Sequence, residues 1–536
     1  MQIDFPVFIV GAGPTGLTMA TVLQRYGIPF CIIDKKAEHT RTSNALGLHA
    51  RTLELLEDLN LIDDFLQAGK KVTGANIYSH QRAFAQINVD TINSIYPYIL
   101  IAPQSETEKI LEEQLAKNAI HVERNTELTH LEKTPHGYRI TVQKNGETKY
   151  FTAKYIIAAD GSHSTVRKSC DMDFTGNEIP QQFLLADATL QTDLAMNRLE
   201  IFYADDGILA LFPLPNGERR LICDVPHSQK MSHDTNEITR AITAFSEKRS
   251  NQQLRVGNCS WVSTFWIHSK FMKNMQHDNI FFMGDAAHIH SPAGGQGMNT
   301  GMQDAYNLGW KLALTLQGHA PHTILNSFNQ ERHPVIRGVV NQTDKMTRLL
   351  LARNPITTFF RNFILRPLLN IAKINEKLAT HIAMLDIHYP KSSIIHYKST
   401  ISNQSPQPGD LVPEIGSFQP KHFTHYLKNK KYSLLIFCGK NAKEMELSQM
   451  NTIIELIKHD YKAVIDVHLI SKIPLKMAVT QINDAEFQLH RLFNVEHSAL
   501  VLIRPDKYLA YCSASLNERQ LKNYLKKIFI SSNSGR

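Results

Sequence analysis

Phe5-Pro6-Val7-Phe8-Ile9-Val10-Gly11-Ala12-Gly13-Pro14-Thr15-Gly16 decides the fold at the start of the chain. Six mostly apolar residues suit a buried strand, three glycines a tight turn, and Leu17 to Tyr26 a helix. A second apolar strand, Pro29 to Ile33, ends at Asp34. Glycine lets the backbone approach a pyrophosphate, a helix N-terminus favours its charge, and a strand-end acid accepts hydrogen bonds from a ribose. Gly11, Gly13, Pro14, Thr15, Gly16, Asp34 and the adjacent Lys35 are therefore candidates for holding a dinucleotide. Arg41 and Arg51 are further candidates, with a surface cation or helix salt bridge as the alternative for each. Arg51 begins an apolar-periodic helix running from Thr52 to Leu61.

The strand-then-glycine pattern returns twice. Tyr155 to Ala159 delivers Asp160-Gly161-Ser162-His163-Ser164-Thr165-Val166-Arg167, and Asn279 to Met283 delivers Gly284-Asp285-Ala286-Ala287-His288. Open parallel sheets bind ligands at the carboxyl ends of their strands. Asp160 also suits a helix cap. Asp285 would repel a phosphate but suits a hydroxyl, and Asp304 reads equally as cap, salt-bridge partner or ligand contact. The loop Pro292-Ala293-Gly294-Gly295-Gln296-Gly297-Met298-Asn299 precedes a helix expected over Asp304 to Leu316. Its backbone donors suit an anion or the polar edge of a ring.

Composition bounds the rest. A chain of 536 residues exceeds one ordinary core, so two or three domains are expected. Its net charge of +8 is modest for this length and mixed with acidic residues. No basic stripe with a reading or stacking element is present, which argues against nucleic acid as a partner. The six cysteines are scattered without disulfide, zinc or CxxC spacing, as expected of a reducing, cytoplasmic setting. No metal-ligand spacing is found. No apolar run approaches the ~20 residues of a membrane span, so stable membrane insertion is not expected.

These three motifs together resemble the FAD-dependent single-component aromatic hydroxylases, the group containing para-hydroxybenzoate, phenol and polyketide hydroxylases. The first motif is similar to that family's ADP fingerprint, and Asp160, Gly161 and Arg167 fall in one associated with both FAD and NAD(P)H. Gly284 and Asp285 match the fingerprint for the FAD ribose, and Pro292, Gly295, Gln296, Gly297, Met298 and Asn299 the loop cradling the isoalloxazine. Gln104, before a helix with Glu108 and Leu111, matches a glutamine near the flavin. Two residues depart from the pattern. Ser291 stands where many relatives have a second proline, and Asn44 where many have an arginine.

The resemblance implies FAD as cofactor, NADPH or NADH as co-substrate, and dioxygen and an aromatic, phenolic or polycyclic molecule as reactants. Oxygen transfer would pass through a C4a-hydroperoxyflavin; epoxidation, Baeyer–Villiger oxidation, antibiotic inactivation and non-oxygenating flavin chemistry are the alternatives. His49 and Tyr203, with Pro292 and Gly295, are the candidate catalytic residues, His49 as a neutral imidazole able to help deprotonate a phenol. The expected fold is α/β: a Rossmann-like FAD-binding domain, an inserted mixed or antiparallel substrate sheet, a helical segment and a C-terminal thioredoxin-like domain.

The expected boundaries are 1–182 for the first part of the FAD domain, with 70–103 partly on the substrate side, and 183–275 for the sheet. Residues 276–398 return to the FAD domain, 399–413 form a linker, and 414–536 form the last domain. Within the sheet, Tyr203, Phe212, Phe265 and His268 are candidate pocket residues, with ordinary core or rim as their alternative. The basic, apolar segment Lys345 to Lys373 suits packing better than a membrane surface. Cys438 and Cys512 are isolated, so the last domain is expected to act as scaffold or dimer contact, in a monomer or homodimer.

Overall fold

The computed structural model describes residues 3–40, 45–79, 82–226, 229–292, 294–351, 371–415, 423–439 and 444–531. Arg41, Asn44 and the middle of the Lys345 to Lys373 segment lie outside them. Strand Phe5–Val10 runs parallel to Phe30–Ile33 on one side and to Glu147–Ala158 on the other, and Ile280–Phe282 continues the parallel set. Val7, Phe8 and Ile9 are fully buried, which is why this strand reads as a continuous apolar run rather than an alternation. Two strands that the sequence reading lacked extend this sheet: Gly137–Lys144 pairs antiparallel with Glu147–Ala158, and Thr126–Thr134 pairs antiparallel with Gly137–Lys144.

Helices Pro14–Tyr26 and Gly297–Leu316 pack closely because two glycines on the second receive side chains of the first. A Cβ at Gly301 would stand 2.3 Å from Thr15 Oγ1, and one at Gly309 would stand 2.4 Å from a Val22 methyl. The second helix starts seven residues earlier than expected, so Gly297, Met298 and Asn299 form its first turn.

The eight-stranded second sheet runs Arg82–Asn88, Gly74–Ser79, Leu199–Ala204, Gly207–Pro213, Arg219–Asp224, Thr175–Gln191, Arg255–Phe271, His288–Ile289. All pairs are antiparallel except the one joining Leu199–Ala204 to Gly74–Ser79. The sheet is mixed because it recruits a hairpin from the first part of the chain. The expected boundary at 182–183 falls inside strand Thr175–Gln191. One face packs Leu184, Leu209, Leu221 and Cys223 under helix Thr235–Arg249, through Ile238 and Ile242.

The C-terminal unit holds strands Thr480–Asn483, Ile465–Ser471, Tyr432–Phe437, Ala499–Ile503 and Leu509–Ser513 in that order. The first three are mutually parallel, and Ala499–Ile503 opposes both neighbours. With helices Glu444–Asp460 and Glu518–Ile528, this is a thioredoxin-like arrangement. Cys438 and Cys512 are buried, and burial pushes each thiol up to about 12, so neither is a redox nucleophile. The expected linker is docked rather than free: Gly409 N–H donates to Leu509 O and Val412 N–H to Lys507 O. Among the described residues, no helix is long and apolar enough to cross a membrane.

Candidate active site

The first turn is built by two glycines with no room for a side chain and one with nothing in front of it. Gly11 has φ +102°, and a Cβ there would meet Ala159 O at 2.3 Å; one at Gly16 would meet Gly11 O at 1.9 Å. A Cβ at Gly13 would face open space. Gly13 caps helix Pro14–Tyr26 without a side-chain hydrogen bond, so the first-turn donors remain available to an anion. Asp34 Oδ2 accepts from Ala12 N at 2.7 Å and Oδ1 from Lys36 N at 2.8 Å. Each oxygen keeps a lone pair for a ribose hydroxyl. Lys35 is exposed beside it.

The second motif is chiefly architectural. Asp160 Oδ2 accepts from Thr165 N and Val166 N at 2.7 and 3.2 Å, while its Oδ1 is buried without a partner. Gly161 takes φ +80° at the turn. Arg167 is buried, and its guanidinium is committed to the protein. Its guanidinium donates to Ala286 O and Ser162 O, both at 2.7 Å, and stacks 3.9 Å from the centre of Phe174. It thereby ties the second turn to the third.

Gly284, with φ +55°, sits against Thr15, and its N–H donates to Asp304 Oδ2 at 3.2 Å. Asp304 is a buried salt-bridge partner, not a ligand contact. It also takes His288 Nε2 at 2.8 Å and Arg332 Nε at 2.7 Å. Burial works to raise its pKa, but Arg332 and His288 outweigh that and hold it below the ordinary carboxylate value. Asp285 behaves differently. It is open to solvent yet closely surrounded by protein, and burial raises its pKa. Such a carboxyl lines a cleft and has hydrogen-bonding capacity to spare.

His49 closes the glycine loop. Its Nε2 lies 3.0 Å from Gly294 O and 3.2 Å from Gly295 O, so this nitrogen carries the proton. Asn299 completes the latch, accepting from His49 N at 2.9 Å and donating to Gly47 O and Gly295 O at 2.8 and 2.9 Å. Gly294 and Gly295 have φ +93° and +64°, and Gly295 N donates to Pro292 O at 2.9 Å. Burial lowers the His49 pKa to about 4, despite the two carbonyls. A base that weak, with one nitrogen committed, is poorly suited to deprotonating a phenol. His49 instead positions the loop.

Three more residues meet here. Gln104 N donates to Ala45 O at 3.1 Å, and its Nε2 donates to Glu108 Oε1 at 2.8 Å, beside the segment that carries His49. Gln296 is nearly buried and reaches His381 O at 3.4 Å. Ser291, in place of a proline, accepts from Thr347 Oγ1 at 2.6 Å, so a hydroxyl contact replaces ring stiffness.

Arg51 corrects the reading of the first motif. Its guanidinium donates to Asp506 O at 2.7 Å, pairs with Glu54 at 3.2 Å and lies over the Tyr508 ring. It belongs to the contact with the C-terminal domain, not to the cradle.

The second face of the large sheet completes a cleft. Phe183, Ile267, Phe265, Ile208 and Ile222 cluster there, with Phe265 stacked on Phe183 at 5.4 Å. Ser269, on the same side of its strand as Phe265, donates to Asp344 of helix Asn326–Leu351. Tyr203 is half-buried on this face with Ile77, Phe84 and Leu378 of helix Ala372–Ile382. Phe212, half-buried on the same side of its strand as Ile208, packs against the edge of the main core. The same two helices hold the glycine loop, through Thr347 and His381. His268 is on the opposite face, exposed, 3.5 Å from Glu178.

Glu331 and Arg332 escaped the sequence reading. The apolar stripe Phe328, Arg332, Ile336 carries a charge at helical spacing, and that interruption was the available signal.

The FAD binding domain family matches residues 4–343. The chain is 30% identical to a 6-methylpretetramide 4-monooxygenase of Streptomyces rimosus, over 94% of this chain and 90% of that protein. It is 30% identical to a rifampicin monooxygenase of Streptomyces venezuelae, over 72% and 79%. The OxyS anhydrotetracycline hydroxylase from Streptomyces rimosus superposes with a TM-score of 0.77 at 26% identity, covering 98% of this chain and 99% of that one.

Proposed function

The chain belongs to the FAD binding domain family, and on that premise we propose how its residues share the work of an aromatic hydroxylase. It is an FAD-dependent monooxygenase that uses NADPH or NADH and dioxygen to hydroxylate an aromatic small molecule. FAD, when bound, supplies the redox chemistry: it accepts hydride from the nicotinamide and activates dioxygen, with water as the second product.

The protein's share is binding and orientation. Gly11, Gly13, Gly16 and Asp34 take the adenosine diphosphate part, with Pro14 and Thr15 starting the helix behind it. Asp285 accepts hydroxyls of the ribityl chain. The turn Pro292 to Asn299, held shut by His49 and Asn299, presents its backbone donors to the ring. Pro292 and Gly295 set the shape of that turn, and Gln104 borders it. The opposite wall excludes water from the reacting centre through Phe183, Phe265, Ile208 and Ile222, while Tyr203 adds a polar edge.

The observation that carries the reading is this apolar sheet face sharing two helices with a glycine turn rich in donors. It favours a phenolic or polycyclic aromatic substrate, because a flat apolar wall gives area for ring burial and few directed polar contacts. Likeness to a rifampicin monooxygenase favours a second reading, inactivation of an aromatic antibiotic by the same chemistry. The isolated thiols support a cytoplasmic enzyme.

Purified protein is expected to carry FAD and to oxidise NAD(P)H faster when a phenolic ligand is added. Oxygen from labelled dioxygen should enter the ring, and product mass separates hydroxylation from the alternatives. FAD-loaded protein that transfers no oxygen to any member of a broad aromatic panel overturns the reading.

A further inference from the structure

Two neighbouring residues on one helix reach in opposite directions. Glu331 accepts both arms of Arg504, at 2.6 and 2.9 Å, from the C-terminal domain. Arg332 donates to Asp304 at 2.7 Å and to Thr300 O at 3.3 Å. Asp304 in turn holds Gly284 N and His288, the turn that carries Asp285. The two carboxylates are also joined along helix Gly297–Leu316, since Lys311 donates to Glu331 at 2.7 Å seven residues beyond Asp304. All of Arg504, Glu331, Lys311, Arg332 and Asp304 are fully buried. Tyr389 ties the branches once more: its hydroxyl lies 3.4 Å from Arg332, and its ring lies 4.3 Å from that of Tyr508.

We propose that Arg504 is a positioning residue for the cofactor, acting from a separate domain through Glu331, Arg332 and Asp304 on the Gly284–Asp285 turn. A guanidinium fork fixes Glu331 in both position and orientation, and Arg332, one residue on, inherits that placement. Removing Arg504 leaves Glu331 with Lys311 as its one cation, beside Asn307 and Ser392. Two of those three partners, Lys311 and Asn307, lie on helix Gly297–Leu316, and without Arg504 to balance their pull Glu331 shifts toward it. The shift displaces Asp304 and opens the turn beneath Asp285. The C-terminal domain therefore has a task in cofactor retention, exerted through the framework.

Lys507 provides an internal comparison. It leaves the same Arg504–Tyr508 turn and makes an equally buried pair across the same seam, with Asp58 at 3.1 Å, but Asp58 does not touch the Gly284 turn. FAD affinity is measured by fluorescence on full-length apoprotein of Arg504→Met, Arg504→Lys, Lys507→Met and Asp285→Ala, with thermal melting of each. Arg504→Met is expected to raise the FAD Kd at least tenfold and Arg504→Lys about threefold, while Lys507→Met stays within twofold despite a lowered melting temperature. If Arg504→Met does not fold, Arg504→Lys against Lys507→Met decides the matter.

Equal FAD affinity in the Arg504 and Lys507 variants, whether both shift or neither does, overturns the inference and leaves Arg504 as domain glue only. The inference rests on Asp285 holding FAD. Unchanged affinity in Asp285→Ala would sink that assignment separately, whereas loss there without loss in the Arg504 variants sinks the inference alone.

Discussion

Helix Gly297–Leu316 has its two halves in opposite surroundings. Its first turn opens on the cleft, where buried polar atoms lack partners: His49 Nδ1, His288 Nδ1, His290 Nε2 and Asp160 Oδ1. Its second half lies in the seam with the C-terminal domain, where the Glu331 carboxylate takes hydrogen bonds from Arg504, Lys311, Asn307 and Ser392. A site that awaits a ligand keeps polar capacity in reserve. A seam between domains has no later partner and must satisfy its charges from the chain itself. Charge density therefore misleads as a guide to function here: the densest ion pairs lie in the seam, which also leaves the neutral Trp310 Nε1 and Tyr432 hydroxyl without hydrogen bonds.

The largest effect should come from breaking the seam. Glu331→Ala leaves Lys311 a buried cation with only the Asn307 amide oxygen and leaves Arg504 to Asp506, and is expected to cost about 3–5 kcal/mol of unfolding free energy, read by denaturant titration. A loss under 1 kcal/mol would mean that the seam tolerates unpaired charge and the contrast fails.

Acid acts on the cleft side through its neutral histidines. Burial holds His49 and His290 at about 4, against 6.5 for an exposed imidazole. Below pH 6.5 the unfolded chain takes up protons that the folded one refuses, so stability is full above 6.5 and falls as pH drops toward 4. Each group contributes about 3 kcal/mol at most over that range. Denaturation of His49→Asn at pH 4.5 and pH 7 should show an acid loss smaller than wild type by about 2–3 kcal/mol. An unaltered pH profile would place the His49 ring in water.

Asp285→Ala should separate the regions more finely. Because its side chain is exposed and takes no part in the ion pairs of the third turn, apoprotein stability is expected to move by less than about 0.5 kcal/mol. FAD affinity should fall about tenfold, or about 1.4 kcal/mol. Equal losses in both measurements would erase the distinction between a site residue and a framework residue.

The smallest expected effect is no effect. With both thiols pushed to about 12 by burial, Cys438 and Cys512 should resist a disulfide reagent in native protein and react only after unfolding. Rapid native labelling of either would reopen a redox role for the thioredoxin-like domain.

What could be read in advance follows from how far each feature reaches along the chain. The glycine turns at 11–16, 284 and 294–297 are local conformations, and the need for positive φ or close backbone approach is written at the position itself. The places of Asp34 after its strand and of Asp285 in its turn were legible because each strand and turn lies within a few residues. The partners of Arg51 and Arg167 were illegible for the converse reason. Each arginine has a favourable place near a binding motif, but Arg51 finds its partner 455 residues away at Asp506, and Arg167 finds one 119 residues away at Ala286. His268 failed through register, since a single position decides which face of a sheet a side chain occupies.

By itself the sequence determined the glycine turns, the buried strands that deliver them and the apolar strands of the last domain. These depend on backbone geometry and apolar periodicity, which are properties of short segments. Only the tertiary structure decided which charges lock the domains, that the His49 ring holds Gly294 and Gly295, and which sheet face shares its helices with the glycine turn. A side chain's chemistry depends on its burial and its partners, and folding supplies both from residues that the sequence keeps far apart.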